Sequence, residues 1–272
     1  VDVMTRLISE WVSPMLSGME AYNRKLKEIT GCDLCGLVGD IFGADEATFT
    51  SLQRQINVGI VPITQGEGII GDFSEAIASI IASMGFRTLV TEHTDVDGIY
   101  EACRRGCDLL FFADDNRYLA LNIADKRYAD NNYCTALGYI SVLEHMMRRR
   151  GKDITDEKIL VIGYGIVGKE AVDILKEKGV SFCVYDKDKQ ALEGADFELL
   201  HGKDEICRYE YILDFTNEGE WLMLNDICGD VLYASPGVPC SLDENTKKTI
   251  AKNAVYDNLE IGTAVMLGKA IF

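Results

Sequence analysis

The sequence predicts a two-domain α/β fold, in which a helical cap and a first α/β unit precede a Rossmann-type unit. Three observations predict it. The chain has 272 residues and is 47% hydrophobic, which suffices for one large core or two modest ones. Short apolar, β-branched runs alternate with segments of helical apolar spacing in both halves. A Gly-Lys-Asp break at 151–153 places the boundary between residues 1–151 and residues 152–272.

The first unit is predicted to contain a helical cap and a βαβαβ motif. Residues 1–40 carry apolar side chains at spacings of three or four, including Leu7, Trp11 and Met15, which is typical of helices. A polar stretch at 43–57 follows. The succeeding elements are a strand at 58–63, a helix at 72–84, a strand at 87–92, a helix at 95–106 and a strand at 107–114.

The second unit is predicted to repeat the parallel-sheet pattern. Residues 116–133 are polar and are expected to form a loop, which leads into a helix at 134–149. The remaining expected elements are a strand from 158, a helix ending at 178, strands at 180–186, 209–216 and 231–239, and a final helix beginning near 262.

Charge and cysteine content narrow the classes of function. The chain has 27 Lys and Arg residues against 44 Asp and Glu residues, a formal charge of −17, so nucleic acids and anionic membranes are not expected partners. It has no long uncharged apolar run, and its first residues resemble no signal peptide, which predicts a cytoplasmic protein. The nine cysteines are expected to be reduced, and their spacing predicts no metal site.

The clearest chemical signal is an apolar strand that runs directly into G-x-G-x-x-G and then into an amphipathic helix. Gly163 allows the tight turn, Gly165 lets the backbone approach a pyrophosphate, and Gly168 lets the helix pack against the strand. The free N–H groups of Ile166 and Val167 at the helix start are expected to hold the anion. The alternative is a turn whose glycines serve packing alone.

Further residues are expected to complete a dinucleotide site. Asp186 lies 23 residues beyond Gly163 and is placed to accept hydrogen bonds from the ribose hydroxyls, which favours NAD over NADP. Nearby lysines at 187 and 189 leave NADP open. Two later strand ends supply loop residues expected to line the nicotinamide side, with ordinary turn formation as the alternative. These residues are Thr216, Asn217, Ser235 and Pro236.

Seven segments distributed over most of the chain carry recognisable motifs. They are VGIVPITQGEGIIGDFS (58–74), DVDGIYEA (95–102), FFADDNRYLALN (111–122), NNYCTALGYI (131–140), ILVIGYGIVG (159–168), ASPGVPCSL (234–242) and IGTAVML (261–267). Together they resemble the PylD family of pyrrolysine biosynthesis dehydrogenases. The resemblance implies an NAD-dependent enzyme acting on 3-methyl-D-ornithyl-Nε-L-lysine. Hydride would leave the carbon bearing the terminal amine, and the oxidised product would lose ammonia and close to a pyrroline ring.

The resemblance also implies the residues that contact this substrate. Asp114, at the ligand-facing end of a buried strand, is expected to bind the reacting amine and to be catalytic, with turn capping as the alternative. Asn131 offers a neutral amide, and its alternative is also turn formation. Asp257 is expected to hold the lysine end of the substrate, or otherwise to serve only the entry into the last helix.

The glycine-rich segment 64–71 and the N-terminal helix complete the expected pocket. Glu67, Ile70 and Phe73 belong to it by resemblance, although Gln65 and Glu67 replace the smaller polar residues expected of the family. Leu7 is expected to close over the ligand, with a place in the hydrophobic core as the alternative.

Two other functions remain open from the sequence. One is an NAD-dependent dehydrogenase of a different amino acid or imine, which the departures at Gln65 and Glu67 would permit. The other is a regulator that binds NAD without turnover, although the chain shows no basic recognition helix. The expected partners are the isopeptide and, as is common among dehydrogenases, a second copy in a homodimer.

Overall fold

The computed structural model describes residues 7–272, and its first helices confirm the predicted helical cap over that range. They are α1 (Ser9–Val12), α2 (Met15–Thr30), α3 (Leu34–Phe42) and α4 (Glu46–Gln55). Gly31 ends α2 in a left-handed conformation, and the Asp33 side chain caps α3 by accepting from the Gly36 N–H. Most of the polar stretch at 43–57 is helical as well. The Asp45 side chain caps α4 by accepting from the Thr48 N–H, and the Phe49 side chain is buried in the core.

The first sheet confirms the βαβαβ motif. Its elements are β1 (Asn57–Ile60), α5 (Phe73–Ser83), β2 (Arg87–Val90), α6 (Asp95–Arg104) and β3 (Leu109–Ala113), followed by β4 (Tyr118–Asn122) and β5 (Arg127–Asp130). The strand order is β2-β1-β3-β4-β5, and the first three strands are parallel.

The predicted loop at 116–133 is wrong. Strands β4 and β5 form an antiparallel hairpin that extends the sheet beyond β3. In β4 the buried side chains are Tyr118, Ala120 and Asn122, which gives the period of two expected of a strand. The period is hard to recognise in the sequence because polar and charged residues surround it. Asn122 is buried because its amide donates to the Ala270 carbonyl at 3.0 Å, so its polarity is satisfied inside the protein.

The second sheet confirms the Rossmann-type arrangement. Helix α7 (Asn131–Arg149) precedes the second sheet and begins three residues earlier than predicted. Its elements are β6 (Lys158–Ile162), α8 (Ile166–Glu177), β7 (Ser181–Tyr185), β8 (Glu198–Leu199), β9 (Tyr211–Asp214), β10 (Leu232–Ser235), α9 (Glu244–Thr249) and β11 (Ala254–Tyr256). All six strands are parallel in the order β11-β10-β9-β6-β7-β8. The pattern did not indicate β8, α9 or β11, which are too short to show a period.

The last helix, α10 (Glu260–Ile271), returns to the first unit and packs against α7, α3, β4 and β5. The close approach of α10 to α7 and α3 depends on two glycines. A Cβ on Gly138 would lie 2.5 Å from Ile261 Cγ2, and one on Gly268 would lie 2.4 Å from Val38 Cγ1. The start of α10 thereby lies where the two units meet, while the domain boundary at residue 151 stays a prediction.

Among residues 7–272, no helix is both long enough and apolar enough to cross a membrane.

Candidate active site

A cavity of about 780 Å³ lies between the two units and is lined by the carboxyl ends of strands from both sheets. Ligands bind at such strand ends in open α/β sheets. Most of the residues singled out in the sequence line it: Leu7, Glu67, Ile70, Phe73, Asp114, Asn131, Gly163, Gly165, Ile166, Val167, Asp186, Thr216, Asn217, Pro236 and Asp257. Two do not, namely Gly168 and Ser235.

The glycine turn between β6 and α8 requires glycine at two of its three glycine positions and is open at the third. Gly163 has a φ of 87°, and a Cβ on it would lie 2.9 Å from Thr216 Cγ2. A Cβ on Gly168 would lie 1.9 Å from the carbonyl oxygen of Gly163, so this glycine serves helix packing beneath the wall. Gly165 faces open space, with no atom within 4 Å of such a Cβ. The turn therefore leaves room above Gly165 for a phosphate near the start of α8.

Asp186 fixes the turn from the neighbouring strand. Its Oδ2 accepts from the Tyr164 N–H at 2.7 Å, and its Oδ1 accepts from the Asp188 N–H at 2.8 Å. Directly after it, Lys187 forms an ion pair with Glu218, a residue of the loop after β9. Both members of this pair line the cavity, as does Asp186.

A buried carboxyl group, missed in the sequence, supports the opposite loop. Asp214 is fully buried at the end of β9 and accepts from the Thr216 hydroxyl at 2.7 Å and the Tyr233 hydroxyl at 2.8 Å. Burial raises its pKa above the ordinary value. Ser235 is also fully buried, and its hydroxyl accepts from the Gly237 N–H at 2.9 Å. The expectation that Ser235 lines the cavity is thus wrong, because its side chain supports the proline turn from beneath.

Asp114 caps a turn and also lines the cavity. Its Oδ1 accepts from the Asn116 and Arg117 N–H groups, both at 2.8 Å, and so holds the turn between β3 and β4. The residue is only half-buried and lines the cavity. One carboxylate oxygen is therefore used by the turn, while the residue remains in reach of a ligand.

The loop that carries Glu67 is shaped by Asp115, whose role the sequence did not indicate. Its Oδ2 accepts from the Glu67 N–H at 2.7 Å. Gly66 has a φ of 88°, and a Cβ on it would lie 2.0 Å from the same oxygen, so only glycine fits. Asp72, at the loop's end, has a φ of 63° and accepts from the Ser13 hydroxyl at 2.6 Å. The loop is thus tied to the N-terminal helices.

Helix α1 is attached at two points to segments that line the cavity. The Ser9 hydroxyl donates to the Gly71 carbonyl at 3.0 Å, and the Asn258 amide donates to the Trp11 carbonyl at 2.8 Å. Leu7, just before this helix, lies on the cavity wall together with Phe73. These contacts give one side of the cavity an apolar wall.

The far wall holds a buried acidic cluster at the start of α10. Asp257 accepts from the Tyr22 hydroxyl at 2.7 Å and from the Glu260 N–H at 3.0 Å, and its carbonyl accepts from Tyr139 at 3.5 Å. Glu260 is 9% exposed and accepts from the Asn258 and Leu259 N–H groups. Burial and the nearby Asp257 charge raise the pKa of Glu260 to about 8, and burial raises that of Asp257 as well. Tyr22 and Glu260 were not indicated by the sequence.

In the part of the chain from residue 7 onward, no three His, Cys, Asp or Glu side chains are grouped so that they could hold a metal ion. All nine cysteines are free thiols.

Comparison with known proteins identifies the family. The family model for the pyrrolysine biosynthesis protein PylD, N-terminal domain, matches residues 12–129. Pyrrolysine synthase of Methanosarcina acetivorans is 32% identical over 259 residues, covering 92% of this chain and 95% of that protein. The chain belongs to the PylD family. A second PylD-family relative, pyrrolysine synthase of Methanosarcina barkeri, is 31% identical over 245 residues. The match covers 89% of this chain and 89% of that protein.

A solved structure supports the fold assigned to this PylD-family chain. FolD of Campylobacter jejuni, a methylenetetrahydrofolate dehydrogenase/cyclohydrolase, superposes with a TM-score of 0.51, covering 94% of this chain and 96% of that one. The sequences are 11% identical, so the likeness concerns the two-domain α/β architecture alone.

Proposed function

We propose that this PylD-family protein is a pyrrolysine synthase that uses NAD to oxidise the terminal amine carbon of 3-methyl-D-ornithyl-Nε-L-lysine. The observation that carries the proposal is the single cavity whose wall includes both the glycine turn at Gly163 and the carboxylate of Asp114. Family membership supports the substrate, because both curated relatives are pyrrolysine synthases.

The residues at the second sheet fit a dinucleotide. The open space above Gly165 and the N–H groups at the start of α8 would hold the pyrophosphate, and Asp186 would accept from the adenosine ribose. Thr216, Asn217 and Pro236, which follow β9 and β10 and line the cavity, would contact the nicotinamide side. When bound, NAD supplies the hydride acceptor.

The first unit and α10 provide groups suited to a substrate rich in amines. Asp114 would bind the terminal amine, and the buried Asp257, held by Tyr22, would face the lysine end. Leu7, Ile70 and Phe73 would pack against the methylene chain. Asn131 accepts from Thr135 at 3.1 Å, which fixes its side chain and leaves the amide nitrogen as the donor it can offer to a ligand.

The reacting amine must be neutral when hydride leaves its carbon, because an ammonium group has no lone pair to stabilise the developing iminium. A carboxylate beside an amine favours the ammonium form, so Asp114 anchors the substrate but does not by itself deprotonate it. The rate of oxidation is therefore expected to rise with pH as the bound amine loses its proton.

The remaining chemistry balances without a further reagent. The imine takes up water and releases ammonia, and the resulting aldehyde is attacked by the other ornithine amine, which expels water and closes the ring. The net change is loss of ammonia and of two hydrogens, one as hydride and one as a proton. Ring closure requires only that the chain be held close to its product conformation.

The test is incubation of the purified protein with NAD and the isopeptide, with NADH absorbance and product mass recorded together. We expect NADH to form in equal amount to a product that is lighter than the isopeptide by one ammonia and two hydrogens. A panel of amino acids and simple amines is the control. Activity confined to that panel would replace the isopeptide by another amine, which Gln65 and Glu67 would then select. NAD binding without turnover of any amine would indicate a regulator.

Two further proposals concern the setting of the reaction. The protein is proposed to act in the cytoplasm, where reduced cysteines are maintained, in keeping with its nine free thiols. It is also proposed to be a homodimer, which light scattering of the purified chain tests directly.

A further inference from the structure

An ion pair bridges the rim of the cavity at its adenosine end. Lys187 follows Asp186 directly after β7, and Glu218 follows Asn217 in the loop after β9. The pair therefore links the two loops on either side of the expected ribose. Both side chains line the cavity, with 74% and 51% of their surface exposed to solvent.

The basic groups near Asp186 are already engaged. Lys187 is held by Glu218, while Lys189 donates to the carbonyls of Asp186 and His201 at 3.4 and 3.3 Å and lies over the Tyr185 ring at 5.3 Å. The carboxylates of Asp186 and Glu218 line the cavity beside Lys187. A 2′-phosphate would therefore meet two carboxylates, and both nearby lysines already hold other partners.

We infer that Glu218 determines cofactor specificity by withholding Lys187 from a 2′-phosphate, so that this site selects NAD over NADP. The inference rests on the proposed function, since it requires that the site takes a nicotinamide dinucleotide. Asp186 would bind the ribose hydroxyls, and Glu218 would act against the additional phosphate group. Discrimination of this kind depends on an unfavourable contact for the wrong ligand as much as on a favourable one for the right ligand.

The exposure of both side chains limits the size of the effect. An exposed charge pair is screened by solvent and changes an affinity by about 5-fold at most. Removing the charge of Glu218 is therefore expected to tighten NADP binding by about 5-fold and to leave NAD binding within about 2-fold.

The experiment measures dissociation constants of NAD and NADP by titration calorimetry and by the fluorescence of Trp221, which lines the cavity. Glu218→Gln is compared with Glu220→Gln, an exposed acid two residues away that does not line the cavity. We expect only Glu218→Gln to narrow the ratio of the two constants. In the Lys187→Gln background the same change is expected to have less effect, because the lysine it frees is gone.

The inference would be overturned if Glu218→Gln left the ratio of the NAD and NADP dissociation constants unchanged, or if Glu220→Gln changed it equally. Preference of the unaltered protein for NADP would also overturn it. None of these results would contradict dinucleotide binding itself. Failure of the unaltered protein to bind either dinucleotide would overturn the proposed function and the inference together.

Discussion

The carboxylate of Asp114 contributes to a turn and faces a cavity, and these two roles can be separated by substitution. Asp114→Asn keeps an oxygen for the Asn116 and Arg117 N–H groups and removes the negative charge. We expect kcat/KM for the isopeptide to fall by about 100-fold, the loss typical of a broken charge pair in a binding site, with NAD affinity nearly unchanged.

The matched control is Asp97→Asn, on the exposed surface of α6, which should leave both quantities as they are. The measurements are steady-state kinetics and NAD titration. Full turnover by Asp114→Asn would remove this residue from the mechanism.

Glu260 predicts a pH dependence of stability whose sign follows from its raised pKa. The folded chain holds its proton up to about pH 8, whereas the ordinary value is 4.5. Between these values the unfolded chain binds fewer protons, so stability from this group is present below about pH 4.5 and declines as the pH rises toward 8. Glu260→Gln keeps acceptor geometry for the Asn258 and Leu259 N–H groups and removes the titration.

Relative to the unaltered protein, Glu260→Gln should therefore gain about 2–4 °C in Tm between pH 5 and pH 9. The measurement is thermal unfolding across that range, with the exposed Glu177→Gln as the matched control. A gain in the opposite direction, or the same gain in Glu177→Gln, would contradict the assignment.

Sequence reasoning identified single residues where a local rule applied and missed those brought in by tertiary contacts. Asp114 and Asp186 were found because each follows a buried strand. Tyr22 was missed because its partner, Asp257, lies 235 residues further along the chain. Ser235 was placed correctly at a strand end, but all four residues of this strand are buried, and the Ser235 hydroxyl accepts from the Gly237 N–H within the protein.

At the scale of elements, the turn between β6 and α8 gives its glycines two different tasks. Gly168→Ala would place a Cβ 1.9 Å from a backbone carbonyl, which cannot move without shifting the helix, and should destabilise the fold by about 3 kcal/mol. Gly165→Val places its side chain in open space, so the variant should fold with a Tm close to that of the unaltered protein. Its affinity for NAD should nevertheless fall at least about 10-fold, because the valine fills the phosphate position.

Denaturant unfolding and NAD titration of both variants test this division. Strong NAD binding by Gly165→Val would mean that no phosphate lies above this residue. A Gly168→Ala variant as stable as the unaltered chain would contradict the packing role.

Elements with a strong apolar period were predictable, and those without one were not. The strand, turn and helix around Gly163 follow from local spacing and turn chemistry. The hairpin of β4 and β5 did not follow, because Tyr118, Ala120 and Asn122 are buried by α10, whose position is a tertiary feature. Burial of a polar residue such as Asn122 cannot be inferred before its partner is known.

At the scale of the whole molecule, the cavity depends on the return of α10 to the first unit. The glycines at 138 and 268 permit this close packing, and the helix start carries Asp257 into the wall. The sequence indicated two α/β units and which ends of their strands line the cavity. It could not indicate that one helix of the second half would complete the first, since such packing leaves no local pattern.

The most direct test of the account is a crystal structure of the protein with NAD and the isopeptide both bound. We expect the pyrophosphate to lie over Gly163–Gly168, the terminal amine to contact the Asp114 carboxylate, and the carbon bearing that amine to lie against the nicotinamide ring. An isopeptide bound outside this cavity, or a glycine turn that contacts no dinucleotide, would contradict it.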